Sequence, residues 1–585
     1  MAKTTDDKPN QLILIDEEAA ATASTIHVHR KRGGWITFPF VTVTILAIQV
    51  GSSAWSANLI VFLIGQFNFM SINAAQVSNI VAGTSNFLPI FGAILADSFF
   101  GNFSVIAVSS LFSLMGLILF MLTVTVPSLR PQDCATNATG SSSGTCETAS
   151  NLQIAVLYTS ITLSALGLGG SRYTIATMGA DQFVKPKDQA CFFNWYFFNF
   201  YVGLVIGVLG IVYIEDNVGW DWGVGICLAV NIVGLITFLA GKRYYRQVKS
   251  QGSPYRSLAR VVVATIQKRR VLVSSELKTF YHGSSNDGLS PTSSFRFLNR
   301  AALETDGDTN EDGSIAKQWR LCTVQQVEDF KTLIRIIPLW FSSFFLSTPI
   351  GIQSSLAVLQ ALRMDRHIGA HNLKVPAGSF LVFTLVATAI SLTLIDRFLV
   401  PTYQKLIRKP LTPLQRIGIG HVLTVASMAA SAIVERKRLS IVWSDQLTSS
   451  TSAVTMSAFW LVIPLALVGV GEAFHFPGQV ALYYQEFPVS LHSTSTAMIS
   501  LLVAAGFYLS TAMIDVVQKI TGWLPNNINQ GRLDNVFWLL VVIGVINFGY
   551  FISCSVLYKY QNDSDENPIK VRNNDDDKPR QEEEN

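Results

Sequence analysis

Apolar runs long enough to cross a bilayer recur along the whole chain, divided by short polar segments and by one long one. A helix needs roughly 20 apolar residues to span the hydrocarbon core. Segments 111–126, 152–175, 222–240, 380–395 and 536–557 show such runs with scarcely a charge. The pattern predicts about twelve spans, near 36–65, 74–97, 103–126, 152–178, 191–214, 222–241, 330–356, 376–396, 414–434, 456–484, 493–518 and 535–559. All should be helices, because a strand facing lipid leaves backbone N–H and C=O groups without partners. Ionisable groups are expensive inside a span, so the few that occur are where function is sought.

Six spans precede a hydrophilic stretch of roughly 90 residues and six follow it, the layout of a major facilitator transporter with repeat-related halves. The expected fold is therefore an all-α membrane protein with two six-helix halves. Its parts are an N-terminal tail (1–35), a first half (36–241), a central loop (242–329), a second half (330–560) and an acidic, disordered tail (561–585). A chain that is 49% hydrophobic and 14% charged is far from a soluble domain, in which about 25% of residues are charged. The lipid bilayer is its first partner. A net charge of +4 with no base-reading motif excludes a nucleic-acid role.

The placement of charge sets an expected orientation. His29-Arg30-Lys31-Arg32 stands before the first span, and residues 1–29 carry no signal peptide. The central loop opens with Lys242, Arg243, Arg246, Lys249, Arg256, Arg260, Lys268, Arg269 and Arg270, with no acid among them. Arg397, Lys405, Arg408 and Lys409 follow the eighth span. By the positive-inside rule the two termini and the central loop are cytosolic. Arg436, Lys437 and Arg438 then fall outside, as an exception. The loop after the third span holds Cys134 and Cys146 around the sequon Asn137-Ala138-Thr139. On the outer side these suit a disulfide and a glycosylated asparagine. The other cysteines form no ligand pattern with histidines, so no metal or cofactor is expected, and no catalytic triad or phosphate-cradling loop suggests an enzyme.

Three ionisable groups within the spans are the candidate functional residues. Glu472 is about 16 residues into the tenth span, or ~24 Å along a helix rising ~1.5 Å per residue. His475 follows three residues later on the same face, and the two form a candidate pH sensor. Pro477 and Gly478 could bend or break the helix just beyond. Arg172, in the fourth span after Gly167, Gly169 and Gly170, offers a planar fork of donors that suits a planar oxyanion such as nitrate. The structural alternatives are a helix-pairing Glu472, a hydrogen-bonded core His475, and an Arg172 salt-bridged to Glu472 or to a helix end.

Several strings resemble the plant nitrate/peptide transporter family of the proton-dependent oligopeptide transporter group. They are Gly92-Ala93-Ile94-Leu95-Ala96-Asp97 with Gly101, Gly169-Gly170-Ser171-Arg172 running to Gly179-Ala180-Asp181-Gln182-Phe183, and Phe192-Phe193-Asn194-Trp195. Longer ones are Phe295-Arg296-Phe297-Leu298-Asn299-Arg300-Ala301-Ala302, and Cys322-Thr323-Val324-Gln325-Gln326-Val327-Glu328 leading to Arg335, Pro338 and Trp340. The resemblance implies a pocket role for Glu472. It also implies a first-span motif of two glutamates and a base that handles the coupling proton. Counted from Asn58-Leu59-Ile60, that motif falls on Ile45, Ile48 and Gln49, where both acids and the base are missing. Arg172 replaces the family's fourth-span lysine, and Asn102 replaces a base. These departures are similar to the nitrate-excretion subgroup, which implies plasma-membrane transport of nitrate, sometimes chloride, by a uniport-like route. Losing the net negative charge of the motif also lowers the repulsion met by an anion in a low-dielectric cavity. The expected substrate contacts are Arg172, Glu472 and Gln49. The alternatives are a proton-coupled carrier of a larger organic solute (peptide, hormone or glycoside) and a transport-dead receptor on the same fold.

Overall fold

The computed structural model describes residues 33–132, 148–246, 254–271, 280–283, 291–310, 312–368, 373–409, 411–447, 453–486 and 492–558. Cys134, Cys146 and Asn137 lie outside the described residues, as do both tails. Twelve helices among the described residues are long and apolar enough to cross a membrane, and they coincide with the twelve predicted runs. The α-helices are α1 (Phe38–Ser56), α2 (Leu59–Phe67), α3 (Ser71–Leu95), α4 (Asn102–Thr125), α5 (Asn151–Ser171), α6 (Thr174–Ala180), α7 (Pro186–Val205), α8 (Val212–Asn217) and α9 (Trp220–Ala240). After these come α10 (Pro254–Gln267), α11 (Val324–Leu362), α12 (Val382–Leu394), α13 (Val400–Ile407), α14 (Pro413–Ser444), α15 (Val462–Glu486), α16 (His492–Ile520) and α17 (Leu533–Leu557).

Three runs that hydropathy presents as single rods are jointed. The first span breaks between α1 and α2, the fourth between α5 and α6, and the fifth passes through a π-turn at Ile206–Ile211 into α8. Two others are longer than their apolar stretch. Helix α11 begins earlier than expected, at a capping box in which the Thr323 hydroxyl accepts from Gln326 N–H while the Gln326 side chain accepts from Thr323 N–H.

Helix α14 carries on past its apolar run through Glu435, Arg436, Lys437 and Arg438 to Ser444, which corrects the expectation that this helix ends near residue 434. Arg438 and Glu435 are wholly buried. Arg438 donates to both Glu435 carboxylate oxygens at 2.7 and 2.8 Å and to Asn529 Oδ1 at 2.6 Å, while Gln360 donates to Glu435 at 2.7 Å. An i,i+3 pair inside a helix neutralises itself, so the helix continues where a hydropathy window stops.

Contacts divide the chain into two compact units, one of Met1–Phe69 with Thr84–Gln251 and one of Met70–Gly83 with Gly252–Asn585. In the first, α5 lies against α4 at very short range. A Cβ on Gly167 would stand 2.4 Å from Ser113 N, and one on Gly170 would stand 1.8 Å from Ser109 Oγ. Only glycine permits that approach, which is how small residues bring membrane helices together. In the second unit α14 packs on α15 and α17, and α11 on α16.

The central hydrophilic stretch is not only a loop. Helix α10, the 3₁₀ turn Arg296–Ala302 and the start of α11 enclose a core of Val261, Ala264, Leu298, Ala301, Cys322 and Val327. Lys268, itself buried, lies 2.8 Å from buried Asp308, which Arg320 approaches to 3.2 Å. Burial would raise the Asp308 carboxyl. Hydrogen bonds from Lys268 and Thr305, and the charges of Lys268 and Arg320, outweigh it and hold the carboxyl below its ordinary value. The two longest family-like strings, around Phe295–Ala302 and Cys322–Glu328, are thus the inner wall of this small module.

Candidate functional site

Arg172 stands at the joint of the fourth span. It caps α5 by donating its N–H to Leu168 O at 3.0 Å, and its carbonyl accepts from the Tyr196 hydroxyl at 3.0 Å. The guanidinium is half-buried, 5.3 Å from the Phe200 ring centre and 5.8 Å from that of Tyr173. Among the described residues its one side-chain hydrogen bond is a 3.5 Å contact to Asn86 Oδ1, at the outer limit of such a bond. Its Nε is buried with no hydrogen-bond partner, and no carboxylate reaches it among the described residues. Cation–π contacts offset only about 0.5–2 kcal/mol of the cost of withdrawing a cation from water. The group is therefore incompletely satisfied electrostatically by its described neighbours.

The first-span positions explain why no acid competes for that cation. Ile45 is buried in one apolar cluster with Ile175, Met178, Phe192 and Tyr196, against which Phe200 also packs. Ile48 lines a small cavity with Thr44, Ser110, Ser113, Ser171 and Asn231. Gln49 is 4% exposed and faces α7, where a Cβ on Gly203 would stand 2.7 Å from the Gln49 Cβ. Tyr196 links this cluster to the Arg172 backbone. Asn102, standing where the resemblance expects a base, donates to Asp181 at 3.2 Å.

In the second unit Glu472 is half-buried on α15 and accepts from Thr388 Oγ1 of α12 at 3.3 Å. That hydroxyl has a single proton, and its shortest acceptor is Thr384 O at 2.8 Å, so the carboxylate is weakly held. His475 is wholly buried and, among the described residues, neither ring nitrogen has a hydrogen-bond partner. It lies against α14, where a Cβ on Gly420 would stand 2.6 Å from the His475 Cβ. Although three residues apart, Glu472 turns to α12 and His475 to α14, and no hydrogen bond joins them among the described residues. His421 on α14 reaches Ser342 Oγ through Nε2 at 3.2 Å and stacks on Phe551. Helix α15 runs without a break through Pro477, and Gly478 lies close against Pro413, Arg416 and Ile417 of α14. Among the described residues no group of three His, Cys, Asp or Glu side chains is placed to hold a metal.

Sequence reasoning missed Asn86, Thr388 and the Glu435–Arg438 pair. The first two are ordinary polar residues in spans and carried no signal. The pair was announced by its i,i+3 spacing inside an otherwise apolar run.

Comparison with known proteins follows the same lines. A family model described as the POT family matches residues 103–530. Protein NRT1/ PTR FAMILY 2.6 of Arabidopsis thaliana is 52% identical over 548 residues, covering 94% of this chain and 97% of the relative. Protein NRT1/ PTR FAMILY 2.7 of the same plant is 50% identical over 558 residues, covering 95% and 98%. Among solved structures, an auto inhibited POT family peptide transporter superposes with a TM-score of 0.62 at 16% identity, over 89% of this chain and 96% of its own. Together with the twelve apolar helices, this likeness gives the major facilitator fold.

Proposed function

Because the chain belongs to the POT family of membrane transporters, we propose that it carries a small inorganic anion. Nitrate is the first candidate substrate and chloride its close competitor, moved by a uniport-like route. The observation that carries this reading is the half-buried Arg172 guanidinium, with its buried Nε unpartnered and no carboxylate in reach among the described residues. Nitrate is planar and presents acceptors to such a fork. Ile45, Ile48 and Gln49 support it further, since they leave the neighbouring first span without a proton carrier or a competing negative charge. Glu472 and Gln49 are the other proposed substrate contacts. Glu472 and His475 are the proposed pH-responsive groups. Residence in the plasma membrane, cytosolic termini, a Cys134–Cys146 disulfide and glycosylation at Asn137 belong to the same reading, from the charge pattern and the resemblance.

The test is nitrate flux into liposomes that hold the protein, driven by a nitrate gradient and voltage alone. Flux should persist when the proton gradient is collapsed at constant pH and voltage. Its disappearance would establish coupling and overturn the uniport reading. That outcome would favour the second reading, a proton-coupled carrier of a larger organic solute. The weakly held Glu472 carboxyl favours that reading, because such a group can carry a proton. A protein moving neither anions nor organic solutes would be the transport-dead receptor.

A further inference from the structure

Helix α10 has two apolar faces, and among the described residues only one of them has a partner. Val261 and Ala264 are buried in the linker core, and Leu258 packs on the cluster of Ile336, Leu414 and Ile417 near the starts of α11 and α14. That contact ties the helix to a cluster shared by several of the long apolar helices of the second unit. The outward face carries Ala259, Val262, Val263 and Ile266, spaced i, i+3, i+4 and i+7 so that they form one strip. Val262 is 38% exposed and Ile266 59%. Arg256, Arg269 and Arg270 stand exposed around this strip, none paired with a carboxylate among the described residues. The sequence has no acid anywhere in 254–271.

We propose that the outward face of α10 is a binding site for anionic lipid headgroups, with Ala259, Val262 and Ile266 entering the interfacial layer and the three arginines meeting lipid phosphates and carboxylates. An apolar strip with a purely basic rim is the pattern of a helix lying in a membrane surface. A neutral surface would reward only the strip. An acidic soluble partner would reward only the arginines, whereas an anionic membrane rewards both. Each arginine near such a surface is worth about fivefold in partition. The site stands whichever solute Arg172 takes.

Hydrogen exchange of the full-length protein in lipid nanodiscs tests this without any substitution. Backbone amides of 254–271 should exchange several-fold more slowly in discs with about 30% phosphatidylserine than in phosphatidylcholine alone, while those of the 3₁₀ turn Arg296–Ala302 do not change. The variant carrying Arg256→Gln, Arg269→Gln and Arg270→Gln should exchange alike in both discs. Equal rates for the parent in the two lipids would overturn the proposal. Slowing that survives the triple substitution, or protection that needs added cytosolic protein rather than anionic lipid, would also overturn it.

Discussion

At the scale of single residues, Arg172 concentrates the argument. Gly167 and Gly170 seat its helix against α4 and Gly169 seats it against α3, the joint between α5 and α6 lifts it out of a continuous ladder, and Asn86 and Phe200 hold its head only loosely. A charge-assisted hydrogen bond contributes about 1.5–3 kcal/mol. Arg172→Ala should therefore reduce nitrate flux by roughly tenfold to a hundredfold while leaving the amount of protein in the membrane unchanged. Arg172→Lys should restore part of the flux, because it keeps the charge and loses the planar fork. Radiolabelled nitrate uptake, normalised to surface protein, reads both variants. Normal uptake by the alanine variant would end the anion-contact role.

At the scale of elements, two buried ionic clusters hold parts that hydropathy alone would leave loose. In α14 the Glu435–Arg438 pair is wholly buried and fully bonded. Glu435→Ala leaves a buried guanidinium without its partner, a loss of about 3–5 kcal/mol. The detergent-solubilised variant should melt well below the parent, and an unchanged midpoint would show that the cluster bears little of the stability. In the linker, Asp308 is held below its ordinary value by Lys268, Thr305 and Arg320. A carboxyl lowered on folding stabilises the folded state above its unfolded value of about 3.9 and loses that contribution as pH falls through the folded value. The linker should thus become protease-sensitive below about pH 4. Asp308→Asn should be sensitive already at neutral pH, because Lys268 is left buried and unpaired, and should lose the acid transition.

At the scale of the whole molecule, transport is expected to answer to pH through the tenth span. Neutralising Glu472 or charging His475 makes the interior more positive, which favours an anion. Nitrate flux should rise as cytosolic pH falls between roughly pH 5 and 7.5. The structure adds that the two groups face different helices, so their effects should be separable. Glu472→Gln should remove most of the response, whereas His475→Asn should leave it largely intact, because charging a wholly buried imidazole with no hydrogen-bond partner among the described residues is costly. If both single variants keep the parent profile, the sensor lies elsewhere, with His421 the next group to examine.

The sequence by itself determined the number of spans, the family-like strings and the short set of ionisable residues at membrane depth. Each of these is a local property. Roughly 20 consecutive residues decide whether a segment can cross lipid, and the bilayer then requires a helix. Residue identity also sufficed to single out Arg172 and Glu472, and the family resemblance to single out the missing acids at Ile45 and Ile48. Tertiary structure decided what those groups touch. The Thr388–Glu472 contact joins residues 84 apart, and the Arg438–Asn529 bond residues 91 apart. No window along the chain registers such pairs. For the same reason hydropathy left Arg438 beyond the end of its helix when it is buried within it, and the central stretch read as hydrophilic although Lys268 and Asp308 neutralise one another inside it. Burial of a charge depends on its partner, and the partner is supplied by the fold.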